Sequence, residues 1–324
     1  AFAALAVLFL SGCQSLREEV QPLELTEQAE KLVVAGFISP QDSVLSVRVT
    51  RSQTITDETT SPNGAVTDAT VLLSGNGTSV TLAFNAKKQC YQVEARFLPV
   101  RNGQTYELSV QTPRGERVTG RCTVPKAVTL KTVTLDSAQA ADRTKQFVAR
   151  YTWNDPAGET NFYQTAGTFT YVKQCPTCRG EALKPESVPV AFTAATGWVS
   201  NEVTNGGKLQ TDGSLALLNP KATFGENFQR ATVQATLLHV DEVYFRYHQA
   251  VEKAAAAKAK ENPFAEPVLI PSNVRGGLGC FAAYNRVTLT VGFCACNSNI
   301  SNTFAREKSP LRLPPVKRSA ALTV

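Results

Sequence analysis

Short segments in which apolar and polar side chains alternate, separated by turn residues, constrain the fold of this chain more than any other feature. Ser43–Thr50 alternates in this way, and Asn102–Gly103 is a dipeptide typical of tight hairpin turns. Successive side chains of a strand point to opposite faces of its sheet, so a strand with one buried face has this period. Seven such segments between residues 31 and 126 predict an immunoglobulin-like β-sandwich.

Residues 127–296 are predicted to form a second β-rich domain. Its strands are predicted from apolar and β-branched segments, at Val128–Leu135, Phe147–Trp153, Asn161–Val172, Thr232–Leu238 and Val287–Val291. Residues 174–225 contain several prolines and glycines and are predicted to be rich in loops. The predicted fold class is therefore mainly β, with a sandwich followed by a more elaborate β domain.

One long helix is predicted at about residues 240–260. Apolar residues recur there at intervals of three and four, at Val240, Val243, Tyr244, Tyr247 and Val251. This is the spacing of one face of an α-helix. The alanine-rich stretch that follows has high helix propensity, and a proline at position 263 ends the pattern.

The first residues of the chain predict export and a lipid anchor. Ala1–Leu10 is apolar and uncharged, but ten residues span only about 15 Å as a helix, half of what a bilayer core requires. We therefore interpret residues 1–12 as a truncated signal peptide. Leu10–Cys13 resembles a bacterial lipobox, which predicts acylation of Cys13 and a lipidated tether over residues 13–30. No aspartate follows Cys13 directly, which favours the outer membrane; the periplasmic or cell-surface orientation stays open.

Charge and motif content argue against several functional classes. Lys and Arg number 33 and Asp and Glu 27, and this net charge of +6 is spread along the chain, so no nucleic-acid partner is expected. The nucleophile-elbow, phosphate-loop, zinc-protease and dinucleotide-binding motifs do not occur in the sequence. We predict no enzymatic activity and no cofactor. The basic, proline-containing segment 297–324 is predicted to be a flexible tail.

The eight cysteines allow more than one interpretation. Cys90 and Cys122 fall on or beside predicted strands of one sandwich and are a candidate disulfide. Cys175, Cys178, Cys294 and Cys296 match the ligand number of a tetrathiolate zinc site. Outside the cytoplasm, oxidation to disulfides competes with metal loading, so we assign no metal to these four residues. Unpaired buried thiols are the third alternative.

Asp136–Ala138 resembles the short O-glycosylation acceptor of Bacteroidota extracytoplasmic proteins. Ser137 is therefore a candidate glycosylation site. An ordinary turn is the alternative interpretation.

Several segments occur together in an order that resembles a known family. Besides the lipobox they are Leu32–Gly36, Val66–Val71, Gly103–Leu108, Trp153–Glu159, Asn262–Pro267 and Ser272–Phe281. The most specific residues are Asn273, Gly276, Gly277, Gly279 and Phe281. Over residues 1–295 the chain resembles a Bacteroidota outer-membrane lipoprotein family of unknown function, whose members often neighbour TonB-dependent receptors. Cys280 departs from this pattern, because an aliphatic residue is usual there.

The resemblance implies a lipid-anchored outer-membrane protein that is an accessory or cargo-binding partner of a β-barrel transporter. It implies no catalytic residue and identifies no cargo. A structural or adhesin-like cell-surface lipoprotein is the alternative, followed by an extracytoplasmic enzyme or a soft-metal-binding protein.

Overall fold

The computed structural model describes residues 30–52, 64–139, 145–173, 184–203, 206–215, 224–259 and 268–294. The fold is mainly β, as the sequence predicts. Its strands are β1 (Leu32–Ile38), β2 (Val44–Arg51), β3 (Thr70–Gly75), β4 (Thr78–Asn85), β5 (Cys90–Glu94), β6 (Thr105–Gln111), β7 (Arg117–Thr123), β8 (Leu130–Gln139), β9 (Lys145–Asp155), β10 (Phe162–Lys173), β11 (Glu186–Pro189), β12 (Trp198–Ser200), β13 (Gly207–Ser214), β14 (Phe228–Val240) and β15 (Leu278–Cys294). The helices are α1 (Ala194–Gly197), α2 (Phe224–Asn227) and α3 (Glu242–Ala259), with a 3₁₀ turn at Ala95–Phe97.

The first seven strands form the predicted sandwich. They pair in the order β1-β2-β5-β4-β3-β6-β7, and every neighbouring pair is antiparallel. Alternate residues are buried, as in β1, where every second side chain from Leu32 to Ile38 faces the core. The two-residue period of the sequence therefore becomes one buried face per strand, and these faces enclose a shared apolar core.

The last strand connects the sandwich to the rest of the protein. The first part of β15 pairs with β1 in parallel, from Leu278 to Ala283, and the remainder pairs antiparallel with β14. β15 is 17 residues long, much longer than the segment Val287–Val291 predicted from apolar periodicity. The earlier part escaped prediction because Cys280, Ala282 and their neighbours are buried on both faces and do not alternate.

The second core lies between two sheets. Strands β10, β14 and β15 form one layer, and β13, β9 and β8 form the other. Trp153 and Tyr151 of β9 are fully buried between them, together with Phe169 of β10 and Val233 of β14.

Part of the segment predicted to be loop-rich is regular structure. Residues 174–225 include β11, β12, β13 and α1. β13 is rich in glycine and polar residues, yet all eight of its residues pair with β9, so a tertiary contact overrides its weak strand propensity. β8 also extends to Gln139, four residues beyond the predicted end of this strand at Leu135.

The predicted helix is confirmed as α3, which begins at Glu242 and ends at Ala259. Asp241 caps it, because its Oδ1 accepts the backbone N–H of Tyr244 at 2.7 Å. Among the described residues no helix is both long and apolar enough to cross a membrane.

Candidate interaction surface

The sheet formed by β10, β14 and β15 has one face on the second core and one face directed outward. Helix α3 covers one end of the outward face, where its Phe245 packs with Phe162, Val240, Cys280 and Ala282. Beyond this contact no described element covers the outward face. The side chains on this face belong to the even-numbered residues of the three strands.

Hydroxyl-bearing side chains dominate this open area, which we call the threonine face. Its rows across the sheet follow the strand register: Thr168, Gln234 and Thr290; Thr170, Thr232 and Gly292; Ala166, Thr236 and Thr288. Thr168, Thr232, Thr288 and Thr290 are exposed, and Gln234 is half-buried at the centre. A flat array of hydroxyl and methyl groups can offer hydrogen bonds and apolar contact to the same partner.

The threonine face is uncharged and rigidly supported. The intervening residues of the same strands point into the core, and Phe169, Val233 and Leu237 are fully buried. Arg230 and Arg286 lie at opposite ends of the face, one row beyond the threonines in each direction. Sequence reasoning missed this surface. The signal was present as alternate threonines in three strands, but nothing in the sequence shows that the strands are neighbours.

The residues that are most specific to the family resemblance do not lie on the threonine face. They make contacts between strands at the start of β15. The Asn273 side chain donates to Phe281 O at 2.7 Å, and its Oδ1 accepts the Phe281 N–H at 2.9 Å. Phe281 is fully buried in the sandwich core. Gly276 and Gly279 have positive φ of 81° and 115°, and an added Cβ at Gly277 would meet Leu32 O at 2.5 Å. These residues join the start of β15 to β1 and β7, so they form a structural junction away from the threonine face.

A second family segment, Trp153–Glu159, builds a buried polar network. Both oxygens of Asp155 accept hydrogen bonds, from Tyr163 Oη at 2.7 Å, Asn201 Nδ2 at 2.6 Å and Gly206 N at 3.0 Å. Asp155 and Asn201 are almost fully buried. The carboxylate thereby connects β9 to β10 and to the residues that follow β12. A buried carboxylate is tolerated in a fold when both of its oxygens accept hydrogen bonds, as they do here.

His239 of β14 belongs to the same interior region. Its Nδ1 lies 2.8 Å from Lys126 O, and its Nε2 lies 3.0 Å from Asn161 Oδ1. Asn161 Nδ2 donates to Pro156 O and Glu159 O, so Asn161 Oδ1 remains an acceptor. Burial lowers the pKa of His239, and a neutral ring can donate to only one of its two oxygen neighbours. This histidine is enclosed by structural contacts and does not face a cleft.

The predicted disulfide between Cys90 and Cys122 is wrong for this structure. Both thiols are free and buried. Cys90 lies in β5 and Cys122 in β7, and three strands separate β5 from β7 in the sheet order. Burial raises the pKa of the Cys122 thiol and of the Cys280 thiol, so both are protonated at neutral pH.

The remaining predicted site residues stay predictions. Cys13, Cys175, Cys178 and Cys296 lie outside the described residues. For Cys294 and Ser137 only the backbone is described, at the end of β15 and within β8. Within the described ranges, no three His, Cys, Asp or Glu side chains are grouped closely enough to hold a metal ion.

Two buried titratable groups belong to the N-terminal part of α3: Asp241 caps the helix, and His248 lies within it. The ring of His248 lies among Phe37, Trp198 and Tyr244, with centroid separations of 4.8, 6.1 and 4.2 Å, and burial lowers its pKa to about 4. Burial raises the pKa of Asp241 to about 6, although two backbone N–H groups donate to its oxygens. The two pKa shifts change the pH dependence of the free energy of unfolding in opposite directions.

We expect Asp241→Asn and His248→Phe to change the pH dependence of stability in opposite directions between pH 4.5 and 6. In this window the unfolded chain protonates His248 and the folded chain does not, so this residue makes the free energy of unfolding rise with pH, by at most about 1.4 kcal/mol per unit. Asp241 is protonated only when folded, so it makes the same quantity fall with pH. His239 adds a rising contribution to all three proteins.

Urea unfolding at several pH values measures these slopes. Relative to the natural protein, Asp241→Asn should lose more stability on acidification, and His248→Phe should lose less. Parallel pH profiles for the three proteins would contradict the assignment of these two groups.

Comparison with known proteins gives a family but no activity. A family model described as "Domain of unknown function (DUF4249)" matches residues 18–290. The chain matches none of the curated proteins. It is similar to a solved structure described as "Biofilm associated protein - B domain", at 6% identity over 79% of this chain and 85% of that chain, with a TM-score of 0.17. At this TM-score the similarity carries no functional argument.

Proposed function

Because the chain belongs to the family of the domain of unknown function DUF4249, we propose that it is a non-enzymatic outer-membrane lipoprotein that docks on a β-barrel transporter. Cys13 carries the lipid anchor, and the threonine face contacts the transporter. The cargo of the transporter is left unassigned. The TonB-dependent class of receptor is proposed from the family resemblance alone.

The observation that carries this proposal is the threonine face itself. It combines exposed hydroxyl groups, the absence of charge along its three rows and a backbone held by a buried core on the other side. A preorganised surface loses little conformational freedom on binding, which favours protein–protein recognition. The family-specific residues, in contrast, make contacts within the fold and do not lie on this surface.

A lipid tether strengthens a weak contact. Anchoring at Cys13 would confine the protein to the membrane that contains the transporter and raise its effective concentration there. A modest face-to-face affinity is then sufficient for a lasting complex. The tether and the threonine face are therefore complementary parts of one proposal.

Affinity purification from gently solubilised membranes, with cross-linking and mass spectrometry, tests the docking. We expect the natural protein to recover an outer-membrane barrel protein. Thr168→Lys should reduce this recovery at least about tenfold, because a lysine forced into a packed contact costs more than about 1.4 kcal/mol.

Thr81→Lys is the matched control, since Thr81 is an exposed threonine on β4 of the sandwich. Recovery with this variant should equal that of the natural protein. Equal losses in both variants would reject the threonine face as the docking surface. If the intact natural protein recovers no barrel protein after cross-linking, the transporter partnership is wrong, and the structural or adhesin-like alternative becomes the better explanation.

A further inference from the structure

The last part of β15, residues 287–293, pairs with a neighbouring strand on one side only. β1 pairs with β15 only as far as Ala283, whereas β14 pairs with it from Tyr284 to Cys294. No other strand within the described ranges pairs with residues 287–293. One edge of this segment therefore has no neighbouring strand in the described part of the chain.

The direction of these backbone groups follows from two contacts. Ala283 O accepts the Asp241 N–H from the β14 side. The Arg286 N–H donates to Gln41 Oε1, on the side that β1 occupies earlier in the strand. Since backbone groups alternate along a strand, even-numbered residues direct their N–H and C=O away from β14. Thr288, Thr290 and Gly292 therefore present these groups at the open edge.

This edge lacks the protection that other edges of the protein have. Natural proteins shield edge strands with charged residues, proline or short length. The longer edge strands contain such residues: Lys131 and Asp136 in β8, Glu186 and Pro189 in β11, Lys208 and Asp212 in β13, and Arg117 and Arg121 in β7. The edge strand β12 lacks them but is only three residues long. From Val287 to Phe293, β15 contains neither charge nor proline.

We propose that this edge pairs with the same edge of a second copy of the chain, antiparallel about a two-fold axis at Thr290. This inference does not depend on the transporter partnership. The axis places Thr290 opposite Thr290, Thr288 opposite Gly292 and Leu289 opposite Val291 of the second copy. Val287 then faces Phe293. Apolar residues meet apolar residues on the core side, and threonines meet on the outward side.

Backbone and charge geometry are both compatible with this pairing. In an antiparallel ladder about this axis, the even-numbered residues form the hydrogen-bonded pairs, and these are the residues whose groups point outward. Arg286 comes opposite position 294 of the second copy, so the two Arg286 side chains do not face each other. The pairing would join the two threonine faces into one continuous surface.

Sedimentation velocity on the full chain tests the pairing. The natural protein should sediment as a dimer of the 34.9 kDa chain. Thr290→Lys and Thr290→Glu should each weaken dimerisation at least about tenfold, because like charges then lie directly opposite. An equimolar mixture of the two variants should dimerise again, since opposite charges now meet at the axis.

Thr232→Lys provides the matched control, because Thr232 is an exposed threonine in β14, one strand away from the edge. Its sedimentation should match that of the natural protein. A monomeric natural protein, failure of the mixed variants to associate, or equal dissociation by Thr232→Lys would each overturn the proposal. Circular dichroism confirms that the variants are folded before these outcomes are compared.

Discussion

Replacing Gly279 by alanine should lower the free energy of unfolding by about 2–5 kcal/mol. Gly279 has a φ of 115°, and a Cβ added there would lie 2.0 Å from Val34 O of β1. A side chain in this backbone conformation costs about 1–2 kcal/mol, and forcing an atom into the packed junction adds about 1–3 kcal/mol. The strain falls where β15 enters the sandwich, so pairing between β1 and β15 should be lost first. Urea unfolding followed by tryptophan fluorescence and far-ultraviolet circular dichroism measures the effect.

Gly292→Ala in the same strand is the control. An added Cβ at Gly292 meets no atom within 4 Å, and the residue has no positive φ. Its unfolding free energy should change by no more than about 0.5 kcal/mol. Comparable destabilisation by the two substitutions would show that glycine in β15 matters through strand propensity alone, and would contradict the proposed role of the junction.

Replacing Asp155 by alanine should lower the free energy of unfolding by a similar amount, about 3–5 kcal/mol. The substitution removes both carboxylate oxygens and with them the acceptor of Tyr163 Oη and of the half-buried Gly206 N–H, while Asn201 Nδ2 keeps only Glu159 O. Each unsatisfied buried donor costs about 1–3 kcal/mol, reduced where the structure can relax. Asp155→Asn should cost less, because the amide keeps the volume and one accepting oxygen. Thermal and urea unfolding of both variants measure the difference.

Glu94→Ala is the control for loss of a carboxylate. Glu94 pairs with Arg96 at 2.9 Å, but both side chains are more than half exposed. Exposed ion pairs contribute little to stability, so the change should stay within about 0.5 kcal/mol. If Asp155→Ala were no more destabilising than Glu94→Ala, the buried network would not be a structural requirement of the fold.

Local patterns were sufficient for most of the architecture. The seven strands of the sandwich follow from two-residue alternation and turn residues, and α3 follows from the three- and four-residue spacing of its apolar residues. Both patterns are visible in the sequence because a half-buried strand or helix must direct its apolar side chains to one face. Trp153 and Trp198, the two tryptophans of the chain, are both buried in the core.

The candidate surface could not be found in the same way. Thr168, Thr232 and Thr290 belong to strands that are far apart in the chain, and their adjacency depends on the order β10-β14-β15. For the cysteines, position in the sequence suggested a contact that the structure does not contain. Cys90 and Cys122 are a candidate disulfide because they fall in one predicted domain, but residues of one core need not be in contact.

The β class of the fold and the position of the long helix follow from local patterns, because a half-buried strand or helix repeats its apolar residues at a fixed spacing. Four features follow from the tertiary structure alone: the pairing of β15 with β1, the strand β13, the structural junction made by the family-specific glycines and the open face that the threonines share. Each of these depends on contacts between distant segments, and their free energy comes from strand pairing and burial that no local pattern records.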